Sequence, residues 1–555
     1  MAQTPRRTDP HSLRVIDTSV QRLVGVPNGI RPRSRAVGER APVPQPLRRR
    51  RGWIDPLWLG FLAAVVSAIG GWIPSKWNDE AATQTAALRS LPHLWQMMQN
   101  IDAVHGTYYF LMHFWVLAFG TSNFALRAPS MIAVGIACAG VVVLGRKLGG
   151  RRVAIFAGLA FLILPRVTWM GIEARSLAMT AAVAVWLTVL LVHAVERRTV
   201  GWWAFYAGLA AVGVLLNVYV ALLVIAHGVT LLIARKRLVN RRRLYIGWGA
   251  SAIAAAILSF PIDRLSLSQT GQLPFGPLNL TSTLNTLLFA QYFSGATPTY
   301  GRGVPFPPTS LWSAAVILVA VVGWTLVIAP AASRRFRPIP PRRIPLSPLS
   351  ILFPWIVVPT ALVLTSSIFM HPMYTGRYFS FTTPAVALLM GSTIARLRVP
   401  WMRVATIGFL AVLVLPIYIS QRGPTAKNGT DWQQAAAILQ AHAQAGQDIY
   451  YSPARLNSKV SIHKISQAYP AVLSSLHDIS LRESPIQDAS LWGTDWPLTH
   501  ARPVLRTTPL LWAVIEHPGV PSPQSTKQER YIEKQGLHLV QIWRGSLTDV
   551  LEFSR

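Results

Sequence analysis

Between Trp53 and Thr430 the acidic residues are Asp55, Asp79, Glu80, Asp102, Glu173, Glu196 and Asp263. A group that removes a hydroxyl proton while the oxygen attacks carbon must be a base within hydrogen-bond reach, and a carboxylate can serve. The sharpest candidate is the adjacent pair in Trp77-Asn78-Asp79-Glu80. Acids also favour helix N-termini, so the same pair suits the cap of a following helix, and pattern alone leaves both readings open. Asp102 and His105 stand about one helical turn apart and can share a face. Tyr108, Tyr109 and Trp115 follow them. Such rings also read as anchors at a membrane interface. No third ligand stands at metal-site spacing, so a zinc site is not expected.

Arginines supply the complementary chemistry. Arg175 lies in Glu173-Ala174-Arg175-Ser176, and Arg377 in the run from His371 to Tyr378. A guanidinium matches the oxygens of a phosphate. Arg175 has Glu173 beside it as an alternative partner, whereas Arg377 has no carboxylate nearby in sequence, which favours a phosphate there. Gln269 and Gln272 carry amides suited to sugar hydroxyls, as do Asn217 and Tyr219 more weakly.

A membrane domain must position these groups. The chain is 51% hydrophobic and 13% charged, against roughly 25% charged in soluble domains. Apolar runs of spanning length predict about eleven transmembrane helices, at 54–73, 126–145, 153–168, 177–194, 202–216, 218–234, 245–261, 310–332, 349–369, 381–396 and 403–420. Basic loops at Arg146–Arg152, Arg197–Arg198, Arg235–Arg243, Arg334–Arg343 and Arg396–Arg403 fall on every second connection. That bias predicts a multi-pass inner (plasma) membrane protein, N-terminus cytoplasmic and C-terminus extracytoplasmic. Asp79, Glu80, Asp102, Glu173 and Asp263 then share the outer face, with Asp55 and Glu196 on the inner one. Arg175 and Arg377 break the bias, and an outward arginine at the membrane edge needs a partner.

The net charge of +32 resides in these loops and in a basic tail, residues 1–53, expected to be disordered, cytoplasmic and in contact with anionic lipid. Nucleic acid is not an expected partner. No signal peptide is read, and the single Cys138 excludes a disulfide within one chain. Tyr108–Phe119 is too short to span comfortably and reads as a re-entrant or interfacial helix. Residues 54–420 form the expected membrane domain and 421–555 a small extracytoplasmic α/β domain. That domain is predicted to have a helix over Asp431–Ala445, strands at Asp448–Tyr451, Leu510–Ile515 and Leu537–Trp543, and a helical stretch near Gln528–Gln535. Trp432, Trp492 and Trp496 suggest that it recognises an acceptor glycan.

Taken in order, these motifs resemble those of the GT-C-fold glycosyltransferases, which include the protein O-mannosyltransferases and many actinobacterial cell-envelope enzymes. The resemblance rests on Trp77–Glu80, Asp102–Trp115 with Ala125–Ser130, Glu173–Ser176, Arg377-Tyr378 with Pro384, and Asp431–Ala436, and covers roughly residues 54 to 450. Gly106-Thr107 stands where the family usually has Pro-Pro, and Leu177 where a Tyr often stands. The resemblance implies a GT-C fold and an inverting transfer from a polyprenyl-phosphate sugar, often mannose or arabinofuranose. It implies Asp79 as general base, with Glu80 supporting it or orienting the acceptor. Arg175 and Arg377 would bind the donor phosphate, and His105 and Tyr108 would shape a donor pocket that Asp102, Glu173 and Tyr378 also line. Gln269 and Gln272 would meet the acceptor. The specific expectation is a mannosyltransferase acting on a cell-envelope glycan or glycolipid such as lipoarabinomannan, adding mannose caps. It has no certain cofactor beyond the lipid-linked donor, and its use of a divalent metal is left open. The rival expectation is a lipid or glycolipid transporter or flippase without glycosidic-bond chemistry. Transporters place charges near the midplane and show repeats, neither of which is evident here.

Overall fold

The computed structural model describes residues 52–272, 279–295, 298, 307–336, 345–369, 372–452, 462–516 and 523–555. The expected disordered tail up to Arg51, residues 337–344, which take in most of the basic loop Arg334–Arg343, and His371 lie outside them. From Arg50 to Arg555 the chain is one compact unit.

Helix α1 (Ile54–Ala68) is followed by an excursion of three helices, α2 (Asn78–Ala87), α3 (Leu91–Asn100) and α4 (Gly106–Phe119). Next, α5 (Asn123–Ile163) is two antiparallel-running segments joined at Gly150, whose φ of 84° is open to glycine without strain. Then come α6 (Pro165–Met170), α7 (Leu177–Arg197), α8 (Val200–Leu216), α9 (Val220–Ile233) and α10 (Arg241–Ser268). Helix α11 (Leu280–Asn285) runs into a π-helix, Thr286–Ser294. It is followed by α12 (Thr309–Ala332), α13 (Pro348–Phe369), a 3-10 turn at Gly376–Thr382, α14 (Thr383–Ile394) and α15 (Pro400–Ser420). Each of the eleven predicted spans falls on one of these helices. By length and apolarity, six described helices suit a bilayer crossing, with α5 counted once, and α1, α8 and α9 are shorter apolar helices.

The predicted span 381–396 is the clearest difference. Its helical part, α14, has 12 residues, about 18 Å of rise against a hydrocarbon core of about 30 Å. All 12 are buried, so protein rather than lipid surrounds it. Small residues let these helices approach. A Cβ on Gly391 would meet the Ala157 backbone at 2.3 Å, and one on Gly60 would meet the Gly135 carbonyl at 2.8 Å. The outward faces of α10 and α15 remain apolar and exposed, with Ile257 at 67% and Val412 at 68%.

The C-terminal region begins with α16 (Trp432–His442) and β1 (Asp448–Ser452). It continues through α17 (Lys464–Ala468), α18 (Pro470–Leu473), β2 (His477–Asp478), β3 (Leu481–Glu483) and β4 (Thr494–Asp495). The last elements are α19 (Arg502–Leu505), β5 (Leu510–Glu516), α20 (Pro523–Glu533), β6 (His538–Arg544) and β7 (Thr548–Ser554). Five strands form a mixed sheet in the order β2-β1-β5-β7-β6, with β1 parallel to β2 and β5. Sequence analysis did not anticipate β7, which lies between β5 and β6.

His463 ties this region together. Its Nδ1 lies 2.6 Å from Asp495 and its Nε2 2.7 Å from Asp478, and its ring stacks on Tyr451. Burial pushes the imidazole pKa down, but the two carboxylates outweigh it and raise it to about 10. A pKa raised on folding stabilises fully below the unfolded value of about 6.5, and that contribution is lost as pH rises through about 10. Removing one partner of a buried ion pair costs about 3–5 kcal/mol. We therefore expect His463→Gln to lower thermal stability markedly at pH 6, with a deficit that shrinks steadily towards pH 10, as read by paired melting curves.

Candidate active site

The site is assembled by three connections at the end of the bundle that meets the C-terminal region. Its frame is Glu80, which is fully buried on α2. The Arg127 guanidinium holds it through two bonds of 2.8 and 2.6 Å, and Ala174 N donates to it at 3.1 Å. Arg127 also donates to the carbonyls of Gly71, Pro74 and Ser75. Ser130 Oγ donates to the Glu173 carbonyl at 2.7 Å. Motifs dispersed over about a hundred residues thus converge because one buried arginine and one serine stitch the turn before α2 to the turn before α7.

That frame places Asp79, the second residue of α2, with its side chain 19% exposed. Arg377 Nη1 lies 2.7 Å from one carboxylate oxygen and Arg175 Nη2 3.4 Å from the other. Burial pushes the Asp79 carboxyl up, but Arg175 and Arg377 outweigh it and hold it below the usual range. The Arg377 guanidinium in turn lies 5.3 Å from the ring centres of both Trp77 and Tyr378, a stacking that fixes a planar cation. Tyr378 stacks on Tyr219, whose hydroxyl donates to Met373 O at 2.7 Å.

A second carboxylate completes the arrangement. Arg175 Nη1 donates to the Tyr109 hydroxyl at 2.9 Å, and that hydroxyl donates to Asp102. Asp102 adopts a left-handed conformation, φ 63°, which turns it back over the start of α4. His105 Nε2 is 3.9 Å from Asp102, and burial, reinforced by Arg175, pushes its pKa down to about 4, so it is neutral at pH 7.

Most of the expected residues therefore gather in one partly exposed cluster, the candidate cleft: Asp79, Asp102, His105, Arg175, Arg377 and Tyr378. Others are placed differently. Glu80 is consumed by Arg127 and does not face the cleft. Tyr109, rather than Tyr108, joins the polar chain, although both are fully buried. Gln269 accepts from Ala103 N at 2.9 Å and donates to Met98 O at 2.7 Å, and Gln272 donates to Asn100 O. Gln269 is thus buried and bonded through both its amide atoms at the α3–α4 connection, while Gln272 is exposed beside it. Trp432 and Trp492 are core residues of the C-terminal region, and Trp496 stacks on His500.

Glu173 is buried, and its carboxylate has no hydrogen-bond partner among the described residues, although its charge acts on Arg377. The same holds for the Lys427 ammonium, which sits 3.6 Å from the Trp169 ring centre. Sequence reasoning missed Lys76 and Lys427. Both carry the signal that singled out Arg175 and Arg377, a basic residue on a connection expected to lie outside. Among the described residues no group of three or more His, Cys, Asp or Glu is arranged to hold a metal ion.

Comparison with known proteins gives the fold. A family model described as dolichyl-phosphate-mannose-protein mannosyltransferase matches residues 107–261, which take in Arg127, Glu173 and Arg175. No curated relative matches the sequence. Among solved structures, the chain is similar to ArnT from Cupriavidus metallidurans bound to undecaprenyl phosphate, at 13% identity, over 91% of this chain and 98% of that one, with a TM-score of 0.52. It also matches the oligosaccharyltransferase AglB from Archaeoglobus fulgidus in complex with an inhibitory peptide and a dolichol-phosphate, at 11% identity over 83% and 69% of the two chains, TM-score 0.44. A mycobacterial arabinofuranosyltransferase, AftD, matches at 15% identity over 90% and 41%, TM-score 0.44. The near-complete mutual coverage with ArnT shows that this chain has the GT-C fold of the membrane glycosyltransferases, with a small α/β region at its C-terminal end.

Proposed function

We propose that the protein transfers a sugar from a polyprenyl-phosphate donor to a cell-envelope glycan or glycolipid, with inversion at the anomeric carbon. The observation that carries this reading is the Asp79 carboxylate set between the Arg175 and Arg377 guanidiniums at one mouth of a GT-C bundle. Arg175 and Arg377 take the donor phosphate and stabilise the charge it gains on leaving. The acceptor oxygen forms its bond to the anomeric carbon as the carbon–oxygen bond to phosphate breaks, and the acceptor proton passes to Asp79. The phosphate departs with the electron pair, still attached to its lipid. His105, neutral and close to Asp102, lines the donor side of the cleft. In this reading Glu80 acts through Arg127 and the α2 backbone as a positioning residue.

The match to a mannosyltransferase family model and the undecaprenyl phosphate in the ArnT structure support a polyprenyl-phosphate donor. Mannose is the sugar we favour, with lipoarabinomannan and its mannose caps as the acceptor, on the outer face of the plasma membrane. The test is transfer in membranes from radiolabelled polyprenyl-phosphate mannose, run beside polyprenyl-phosphate arabinofuranose. Label in a glycan product from the first donor is the expected result. Label from the second alone would replace mannose. Uptake or exchange of donor with no glycosidic product would sink the enzyme reading in favour of a transporter.

A further inference from the structure

The turn between α1 and α2 is tied to the C-terminal region by Arg422 on the Ile69 carbonyl, by bonds linking Ser75 to Pro424 and Gln433, and by a caged cation, Lys76. Lys76 is 4% exposed. Its ammonium has three hydrogens, and they go to Gln84 Oε1 at 2.7 Å, Thr121 O at 2.8 Å and Ala468 O at 3.0 Å. The ammonium also lies 4.9 Å from the ring centre of Tyr469, whose hydroxyl accepts from Lys76 N at 3.0 Å. Eight residues on, Gln84 Nε2 donates to Gln467 O at 3.0 Å and Ala468 O at 3.2 Å. The two turns of helix carrying Asp79 and Glu80 are therefore held at both ends to α17, nearly four hundred residues away in the chain. Among the described residues no carboxylate is bonded to this ammonium, so its desolvation is offset by these three hydrogen bonds, the Tyr469 ring and the more distant charge of Glu80.

We propose that Lys76 is a positioning residue that locks the C-terminal α/β region onto α2, so that this region completes the catalytic cleft instead of serving as an accessory module. Arg175 and Arg377 come from the membrane bundle. Asp79 is set against them by a helix whose other face rests on α17. A displacement of about 1 Å in a reacting group can cost about 100-fold in rate.

The cage has a pH signature. Burial pushes the Lys76 pKa down to about 8, with Glu80 opposing and Arg127 adding to the shift. The groups facing it are Glu80 on α2, Arg127 on α5 and the Tyr469 hydroxyl. A neutral amine would present two hydrogens and a lone pair to three oxygens, turning one contact repulsive. The stability linkage runs the other way. The folded protein holds this proton less tightly than the unfolded chain, so Lys76's own contribution to stability increases from about pH 8 to about 10.5. His463, at the start of α17, works in the opposite direction, since its contribution is lost as pH rises through about 10, so a melting curve at each pH separates lost turnover from unfolding.

The experiment uses the full-length protein in membranes. Turnover is measured from about pH 6 to about pH 10 for wild type, Lys76→Arg, Lys76→Met and Gln84→Ala. Hydrogen exchange over 78–87 and 464–469 is compared between variants at equal pH. The kinetic arm, with polyprenyl-phosphate mannose as probe, rests on the glycosyltransfer reading; the exchange arm does not. We expect Lys76→Met to lose about 100-fold in kcat with donor KM unchanged, and α17 to exchange faster in both Lys76→Met and Gln84→Ala. Wild type should lose turnover above about pH 8, and Lys76→Arg should keep it. Lys427 is also pushed down to about 8 by burial, so an alkaline limb that persists in Lys76→Arg overturns the assignment. So does unchanged exchange in α17. Absence of transfer in wild type overturns the glycosyltransfer reading, and exchange then decides the lock by itself.

Discussion

Asp79→Asn is expected to lower turnover about a thousand-fold, the middle of the range for loss of a general base, while donor binding is retained or strengthened. The two effects separate because Asp79 does two things. Its carboxylate neutralises Arg377 at 2.7 Å and Arg175 at 3.4 Å, the cations that a donor phosphate would engage. Asparagine keeps the shape and one acceptor oxygen but neither the charge nor the basicity. The guanidiniums are then left without their anion, which favours an incoming phosphate. Binding of a polyprenyl-phosphate, measured by displacement of labelled lipid, should therefore hold or tighten as kcat collapses. A parallel fall in both, together with a lowered melting temperature, would mean that the substitution had dismantled the cleft. Equal turnover in both proteins would remove Asp79 from the chemistry.

The cleft was partly legible in the sequence because its charges are so few. With seven carboxylates in almost four hundred residues, each has weight, and Asp79, Arg175 and Arg377 do meet. What could not be read was register. Successive residues on a helix point about 100° apart, so whether Tyr108 or Tyr109 joins the cleft depends on how α4 starts. That is decided by the left-handed turn at Asp102, which has no local signature. Gln269 was misplaced for a different reason. The charges Asp263 and Arg264 mark the end of the apolar run, yet α10 continues to Ser268 and carries Gln269 to the α3–α4 connection. A membrane helix need not end where the hydrocarbon does. β7 was missed because it sits inside the sheet with both neighbours paired, so its residues lack the alternation of a half-exposed strand. Lys76 was unreadable as a cage because most of its partners belong to distant segments, Thr121, Ala468 and Tyr469.

Glu80→Gln is expected to destabilise the protein by about 3–5 kcal/mol, the usual result of stripping one partner from a buried ion pair, and to lower turnover only as far as the loosened frame displaces Asp79. Both side chains are 0% exposed, and Arg127 would be left as a cation with no counter-charge in contact. Burial pushes the Glu80 carboxyl up, yet Arg127 outweighs it and holds it below the usual range, so the pair is ionised at neutral pH. Arg127→Met should cost more than Glu80→Gln, because it also strips the carbonyls of Gly71, Pro74 and Ser75 of their donor and loosens the turn before α2. The double variant Glu80→Gln with Arg127→Met should be less destabilised than the two single losses added together, since no buried charge is then left alone. Unfolding rates in detergent measure this without requiring reversibility. If Glu80→Gln instead folds with wild-type stability and loses turnover, the carboxylate takes part in the reaction itself. The Arg127 pair would then be incidental, and a two-carboxylate mechanism would replace the single base proposed for Asp79.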